Sequence, residues 1–536
     1  MRRGLLLATA MTAVSAMLGA SPATMPEAPA TSSPPPALQW ADCPVPPPGS
    51  ASVAGFRCAT ARVPMDHGKP DGDTFSLAVI KHPAGDPAQR IGTLFWNPGG
   101  PGDAGTQYLP VSIGGFPAEV LRRFDVVSWD PRGMGGRTTP VVQCFDSADA
   151  EGAFLSRLQA VPVSDAEFTQ DETLRAQFNA RCVQRNGDLL AHVSTADDAR
   201  DLDLLRQAVG DERTSYYGTS YGTFLGATYL NMFPDKVRAA VLDGAVFPSA
   251  WAGGPDVDPS QSTFIRIGSD IGSQNTVDEF VQQCGTVDGA RCAFSEGSVG
   301  ATRRKWADLL ARLHTAPAVV EGAEVDDRAL VSVLKSALYL VAPLPGFDRF
   351  PGWAGAAQLV EAVDAASKAP ATPATPAQPS APTAEPASPG TYVTSAGRRL
   401  AVVCGESPNP SEPSAYTAQA RLSYRRAGYS AWPFVASCAG WTTKAASPYP
   451  GPWDTPGVPV VVVGNTFDPA TPYASSERTV RELADGHLLT VQGVGHTELL
   501  NPSRCAQDHI TSYLVDGTVP PEGTTCAQDS PAFPPS

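Results

Sequence analysis

Short apolar runs alternate with amphipathic runs along residues 93–242. Residues 93–96 and 124–129 are rich in aromatic and β-branched side chains, which is typical of strands buried on both faces of a sheet. Residues 199–209 instead place their leucines at helical spacing, and Gly210 ends that helix. Because strands alternate with helices, the pattern predicts a mostly parallel, doubly wound α/β sheet. Two earlier runs, residues 59–63 and 74–81, predict antiparallel strands at its edge.

The alternation stops near residue 250 and resumes near residue 450. Between them, helix-like runs such as 302–313 and 330–340 predict an inserted, mainly helical lid. Residues 369–389 are almost all Ala, Pro, Thr, Ser and Gln, so we expect them to be disordered. The predicted organisation is a signal peptide (1–23), a flexible N-terminus (24–37), the first half of the core (38–249), the lid (250–449) and the second half of the core (450–536).

The stretch around Ser220 has the features of a nucleophile elbow. Ser220 lies in Gly218-x-Ser220-x-Gly222, between a β-rich run and a helix-like run at residues 224–233. Glycines flank such a serine because a side chain would clash in the sharp strand-to-helix turn. Ser220 is therefore the candidate nucleophile.

An acid and a histidine follow the serine in the chain order of an α/β-hydrolase triad. Asp468 comes just after the apolar run 458–463, and His496 follows a second predicted strand at 488–491. Groups that follow parallel strands gather at one edge of an open sheet, which is where such enzymes build their sites. Three rival residues rank below this pair because they precede the relevant strands or lie on a helix. They are the acids Asp454 and Asp485 and the histidine His487.

Two further loops follow predicted strands. Residues 97–102 read Asn-Pro-Gly-Gly-Pro-Gly, and a loop this poor in side chains can turn backbone N–H groups toward a ligand. We assign one oxyanion donor to Gly99 or Gly100 and the other to Tyr221. The second loop, residues 130–135, is expected to brace the site through an ion pair between Asp130 and Arg132.

Charge and composition restrict the partners. The 536 residues carry a formal net charge of −15, which argues against nucleic acid and anionic membrane surfaces as partners. Met1-Arg2-Arg3 and the apolar run 5–20 predict a secretory signal rather than a membrane anchor. We expect an exported monomer without stable membrane association.

The ten cysteines, an even number, fit an exported protein with disulfides. None stands in a Cys-x-x-Cys or zinc-finger spacing, and no metal site is predicted. One possible connectivity joins neighbours in sequence order, as Cys43–Cys58, Cys144–Cys182, Cys284–Cys292, Cys404–Cys438 and Cys505–Cys526.

Together these motifs resemble the secreted bacterial tripeptidyl aminopeptidases, within the α/β-hydrolase peptidase family that includes prolyl iminopeptidases. The matching stretches lie in both halves of the predicted core, whereas the lid matches poorly. Prolyl iminopeptidases carry His-Gly-Gly-Pro-Gly at the oxyanion loop, where this chain has Pro98-Gly99-Gly100-Pro101-Gly102. This difference favours the tripeptidyl branch.

The resemblance implies a cofactor-free serine exopeptidase that removes short peptides from peptides or proteins with free N-termini. Such an enzyme needs a carboxylate for the substrate ammonium, and Glu406, after a β-prone run in the lid, is the leading candidate; Asp278 and Glu279 are alternatives. A secreted esterase or lipase with the same triad, and a catalytically silent binding protein of the same fold, remain open.

Overall fold

A computed structural model of the chain describes residues 34–46, 50–134, 137–158, 161–255, 257–344, 350–369, 395–430 and 437–535. The strands are β1 (Ala41–Asp42), β2 (Arg57–Pro64), β3 (Thr74–His82), β4 (Gly92–Asn97), β5 (Phe124–Trp129), β6 (Thr214–Thr219), β7 (Val237–Asp243), β8 (Ala318–Val320), β9 (Ala323–Val325), β10 (Val460–Phe467), β11 (Gly486–Val494) and β12 (Thr525–Ala527). The helices are α1 (Gly105–Ser112), α2 (Ala118–Arg123), α3 (Ala148–Leu155), α4 (Asp165–Asn186), α5 (Thr195–Ala208), α6 (Tyr221–Met232), α7 (Pro248–Ala252), α8 (Thr263–Ile267), α9 (Ser269–Cys284), α10 (Val299–Thr315), α11 (Asp327–Ala337), α12 (Gly352–Lys368), α13 (Ser395–Glu406), α14 (Pro413–Ala427), α15 (Tyr473–Glu482) and α16 (Arg504–Asp516).

Ten strands form one sheet in the order β1-β2-β3-β5-β4-β6-β7-β10-β11-β12. The first three pairings, from β1 to β5, are antiparallel, and all the pairings from β5 to β12 are parallel. The mostly parallel α/β sheet and its antiparallel edge, both predicted from the apolar pattern, are confirmed.

Both faces of the central sheet are covered. All six residues of β4 are buried, and the neighbouring side chains Leu94 and Phe95 belong to two different apolar clusters. Successive side chains of a strand point to opposite faces, so each face of β4 has its own core. This double burial is why the central strands read as continuous apolar runs.

The chain between β7 and β10 is the predicted lid region. Its described residues form helices α7–α14 and one β8–β9 hairpin. Part of it packs around an apolar cluster that includes Phe280, Leu334 and Trp353 and also takes in Val494 of β11 and Phe533. The exact domain boundaries stay a prediction. The predicted signal peptide, residues 24–33 of the N-terminal segment and residues 370–389 of the Pro/Ala-rich segment lie outside the described residues.

One local expectation in this region is wrong. The run before Glu406 was expected to be β-prone, but residues 395–406 form helix α13. Ala401, Val402, Val403 and Cys404 are all buried. Five consecutive residues of this helix, 401–405, are buried, so this part of the sequence shows no alternation of apolar and polar residues that would distinguish a helix from a strand.

All ten cysteines are paired, in the sequential order considered from the sequence. This connectivity is confirmed, and it fits a protein that folds in an oxidising compartment. Among the described helices, none has the length and apolar character needed to cross a membrane.

Candidate active site

Ser220 occupies the tight turn between β6 and α6. Its φ is +57° and its ψ is −128°, a conformation that L-residues rarely adopt and that costs of order 1–3 kcal/mol. The turn requires the flanking glycines, since a Cβ on Gly218 would lie 2.3 Å from the Gly222 carbonyl oxygen. A Cβ on Gly222 would lie 2.5 Å from the Asn97 carbonyl oxygen. The predicted elbow is therefore present, with the serine at its apex.

Asp468 and His496 are hydrogen-bonded to each other at the C-terminal edge of the sheet. Asp468 follows β10 directly, and His496 lies two residues after β11. Nδ1 of His496 donates to the carboxylate, at 2.9 Å from Oδ1 and 2.8 Å from Oδ2. Both side chains are buried, and this bond fixes the tautomer that leaves Nε2 as the acceptor.

The Asp468 carboxylate accepts several further hydrogen bonds. The backbone N–H groups of Ala470 and Thr471 donate to Oδ1 at 2.8 Å each. The Thr471 hydroxyl donates to Oδ2 at 3.1 Å, and the N–H of Thr497 donates to it at 3.4 Å. These donors hold both carboxylate oxygens in place beside the imidazole, which suits a residue that orients the histidine.

Burial of the His496 imidazole disfavours its charged form, but nearby carboxylates outweigh this effect. Asp468 contributes most, with Asp243 and Asp103 adding to it, so the pKa of His496 is raised above 6.5. The histidine is therefore a stronger base than a free imidazole, as a general base for a serine needs to be.

The backbone of Asp243 and Gly244 connects Ser220 with the histidine turn, the turn that begins at His496. The Ser220 N–H donates to the Asp243 carbonyl oxygen at 3.0 Å. A Cβ on Gly244 would lie 3.4 Å from Cε1 of His496, so the imidazole lies against this backbone. Among the described residues, Ser220 Oγ and His496 form no direct hydrogen bond. Such bonds are often long in an unliganded enzyme and shorten when substrate binds.

The glycine loop lies against the elbow. Gly99 and Gly100 have φ of +102° and +104°, and a Cβ on Gly99 would lie 2.9 Å from the Cβ of Ser220. The Gly99 N–H donates to Oδ1 of Asn97 at 3.0 Å. The N–H groups of Gly100 and Tyr221 have no partner among the described residues. Gly100 and Tyr221 therefore have N–H groups available for an oxyanion, and they remain the candidate donors.

Glu406 lies apart from the triad, at the end of α13. Its Oε1 accepts from the Thr195 hydroxyl at 2.5 Å and from Nε1 of Trp251 at 2.7 Å, while its Oε2 accepts from the Thr195 N–H at 2.8 Å. It lines a cavity of about 330 Å³ whose wall includes Phe224 and Tyr449. Thr195 also bonds the Tyr221 hydroxyl at 2.5 Å, and the Trp251 ring lies 5.1 Å from the Tyr221 ring, so Glu406 is linked to the elbow through both residues. Burial raises the pKa of Glu406 to about 7.

The expected ion pair between Asp130 and Arg132 is wrong. Arg132 pairs with Asp201, at 2.6 Å and 2.8 Å, while Asp130 accepts from the N–H and the hydroxyl of Thr106. The short sequence distance between Asp130 and Arg132 did not decide their partners, because Arg132 faces a buried carboxylate on α5.

The rival residues of the sequence analysis lie elsewhere. His487, near the start of β11, bonds the exposed Asp485 at 2.9 Å.

Cys505, His509 and Cys526 form a group with metal-like spacing, but a disulfide joins its two sulfurs and removes both thiolate ligands.

Two neighbours of the histidine were missed from the sequence. Thr471 donates to Asp468, and Tyr339 lies edge-on to the His496 ring, with centroids 5.1 Å apart. The backbone N–H of His496 also donates to the Tyr339 carbonyl oxygen at 2.8 Å. Thr471, three residues after Asp468, could have been found as a local cap of the acid, whereas Tyr339 comes from the lid and has no sequence signal.

An elbow serine, a buried Asp–His pair and a glycine loop on one edge of a parallel sheet define the class of α/β hydrolases. Comparison with known proteins agrees. The family model described as "alpha/beta hydrolase fold" matches residues 93–264, and the model described as "TAP-like protein" matches residues 426–526.

The relatives extend over most of the chain. Serine protease Hip1 of Mycobacterium tuberculosis is 30% identical, covering 91% of this chain and 91% of the relative. Carboxylesterase B of the same species is 30% identical, covering 89% and 88%. Tripeptidyl aminopeptidase of Streptomyces lividans is 28% identical, covering 88% and 84%. The chain belongs to the α/β-hydrolase family that includes these serine peptidases and esterases.

Proposed function

We propose that this protein is an exported serine exopeptidase that releases short peptides, tripeptides first, from free N-termini. The observation that supports it most is the buried Asp468–His496 pair at the same sheet edge as the strained Ser220 elbow. Two relatives named tripeptidyl aminopeptidase support the choice of substrate, and the five disulfides support export.

The proposed reaction is acyl transfer through a covalent intermediate. Nε2 of His496 takes the proton from Ser220 Oγ, which attacks the scissile carbonyl carbon, and Asp468 stabilises the imidazolium. The N–H groups of Gly100 and Tyr221 donate to the oxyanion, and each such donor contributes roughly 2.7–4 kcal/mol. His496 then protonates the leaving amine, and a water molecule that it activates hydrolyses the acyl-enzyme.

The free N-terminus of the substrate needs an anionic partner, and Glu406 stays our proposal for this role. Its three hydrogen-bond donors already engage both carboxylate oxygens, so an ammonium group must add to those bonds or displace one of them. The aromatic wall of the adjoining cavity, with Phe224 and Trp251, suits an ammonium ion.

An esterase with the same triad is the second candidate. It is favoured by the relative named carboxylesterase B, which is as similar to this chain as serine protease Hip1 is. Esters and amides pass through the same tetrahedral geometry, so the triad and the oxyanion donors do not distinguish an esterase from a peptidase.

A fluorophosphonate probe and paired substrates test the proposal. We expect the probe to label Ser220 in the folded protein and to leave Ser220→Ala unlabelled. A free-amine Ala-Pro-Ala anilide should be cleaved at the anilide bond much faster than its N-acetylated form. Faster hydrolysis of short acyl esters than of either peptide would favour the esterase, and absence of labelling would reject both enzymes.

A further inference from the structure

The buried carboxylate of Asp243, at the end of β7, takes no part in the reaction described above. It is completely buried, and it receives three hydrogen bonds. The backbone N–H of Glu498 donates to Oδ1 at 2.8 Å, and the N–H of Leu499 donates to Oδ2 at 2.9 Å. The Tyr217 hydroxyl adds a bond to Oδ2 at 3.2 Å. Two of these donors belong to the turn that directly follows His496.

The backbone of the same residue holds the nucleophile. Its carbonyl oxygen accepts the Ser220 N–H at 3.0 Å, and it pairs with Thr219 in the parallel β6–β7 ladder. The next residue, Gly244, donates its N–H to the Val463 carbonyl oxygen at 3.0 Å, on the strand that leads to Asp468. Asp243 and Gly244 thus touch the chain segments of all three triad residues.

The histidine turn needs such external support. Thr497 has a φ of +67°, an unfavourable conformation for a β-branched residue, directly after His496. Two consecutive N–H groups pointing at one carboxylate impose this shape on the turn. The side chain of Asn501 completes it by donating to the carbonyl oxygens of His496 and Thr497 at 2.9 Å and 3.1 Å.

Asp243 also acts on the histidine through its charge. Burial raises the pKa of Asp243 to about 6, so the residue is ionised at neutral pH. It faces Glu498 on the turn, Tyr217 on β6 and His496 itself. The groups facing His496 are Asp468, Asp243 and Asp103, with the ring of Tyr339 on one side.

We propose that Asp243 is a positioning residue that sets the separation of Ser220 and His496, by holding the elbow with its carbonyl oxygen and the histidine turn with its carboxylate. Its negative charge stabilises the imidazolium form of the histidine. This inference rests on the proposed function, since it assigns a role within the same site.

The test is the isosteric variant Asp243→Asn. Its side-chain N–H₂ group would face one of the two backbone donors, so the turn loses a bond and the charge. We expect kcat to fall by about 10–100-fold with KM changed less than about twofold, because a displacement near 1 Å has this cost. The midpoint of the acid limb of kcat/KM should move to lower pH by about 0.5 or more, since losing a negative charge lowers the pKa of His496.

The matched control is Glu498→Gln, in the same turn. Glu498 is buried, burial raises its pKa well above the usual value, and its side chain accepts the Ser503 N–H at 3.0 Å. An amide there keeps an acceptor for the Ser503 N–H, and Glu498 is not among the groups that raise the pKa of His496, so we expect wild-type kinetics and a wild-type acid limb. A folded Asp243→Asn protein with wild-type kcat and acid limb would overturn the proposal, as would equal losses in both variants.

A measurement on the wild-type protein covers the case in which Asp243→Asn does not fold. Hydrogen exchange at the amides of Glu498 and Leu499, corrected for intrinsic rates, should lose protection between pH 7 and pH 5 as Asp243 is protonated. Fast exchange of both amides already at pH 7 would overturn the proposal, because the carboxylate would then not hold the turn. Failure of the proposed function is seen separately, as absence of fluorophosphonate labelling at Ser220 in the wild-type protein.

Discussion

Strained or crowded backbone is concentrated at the residues that carry the candidate chemistry. Ser220 and Thr497 have φ of +57° and +67°, and Gly99 lies so close to the elbow that a Cβ would overlap its neighbours. Such conformations persist only where surrounding hydrogen bonds fix them. Here the bonds come from Asp243 and Asn501, which explains how a costly arrangement is kept in the folded protein.

The raised pKa of His496 predicts the pH dependence of the reaction. The neutral imidazole is the reactive form, so kcat/KM should increase with pH and reach its plateau only above the histidine pKa. Because that pKa is raised from 6.5, the apparent midpoint of the acid limb should lie above pH 6.5. A profile of kcat/KM against pH measures it, and a midpoint below 6.5 would contradict the assigned environment.

Substitution of Asp468 by Asn tests whether Asp468 is the acid that orients His496. The amide keeps the size of the side chain but favours the wrong tautomer of His496 and removes the largest favourable charge. In a serine protease the corresponding change lowers kcat about 10⁴-fold, and we expect a loss of about 10³–10⁴-fold here. Steady-state kinetics measures it; Asp485→Asn, on the exposed rival pair, serves as the control and should have wild-type rates.

At the scale of elements, helix α13 attaches the lid to the core. Its residue Arg398 pairs with the buried Asp198 of α5 and donates to the Arg132 carbonyl oxygen at 3.0 Å. Glu406 at its end bonds Thr195 at the start of α5 and Trp251 of α7. Helix α13 therefore contacts the core along its length, and it places the Glu406 carboxylate near α6, the helix that follows the Ser220 elbow.

The role of Glu406 can be separated from its packing by substitution with Gln. If Glu406 binds the substrate ammonium, KM for free-amine peptides should increase at least about tenfold, which corresponds to the roughly 1.4 kcal/mol of a modest charged contact. N-blocked esters should be unaffected. Kinetics on both substrates measures this, and equal effects on the two would assign Glu406 to holding α13 alone. Glu412→Gln, at the exposed start of α14, is the control.

At the scale of the molecule, a single ten-stranded sheet brings together residues that are far apart in sequence. Ser220, Asp468 and His496 follow β6, β10 and β11, and β7 lies between the first two of these strands. Three of the five disulfides lie in the core and two in the lid, and each closes a short stretch of chain. The long lid can therefore be inserted between β7 and β10 without moving Ser220 away from Asp468 and His496.

The disulfide between Cys404 and Cys438 should stabilise the attachment of the lid helix. It spans 34 residues, and closing a loop of this length is worth about 3–4 kcal/mol in the chain-entropy account. Replacing both cysteines by Ala should lower the thermal midpoint in calorimetry. The Cys284–Cys292 pair, which spans 8 residues, should give a smaller decrease when replaced. An equal or opposite order would contradict this account.

The sequence by itself determined the parallel sheet, the elbow turn and the chain order of the candidate triad. These depend on local features: apolar runs long enough for buried strands, glycines in a turn that excludes side chains, and polar residues directly after strands. It also allowed the disulfide connectivity, since neighbouring cysteines needed only short loops to meet.

Only the tertiary structure decided the partners of buried charges and the state of fully buried segments. Arg132 pairs with Asp201 instead of Asp130, and residues 401–404 are helical although their apolar run resembles a strand. The support that Asp243 gives to His496, across 253 positions, likewise has no signature in the chain. A buried charge takes whichever partner packing brings close, and a segment buried on every side has lost the periodicity that would reveal its structure.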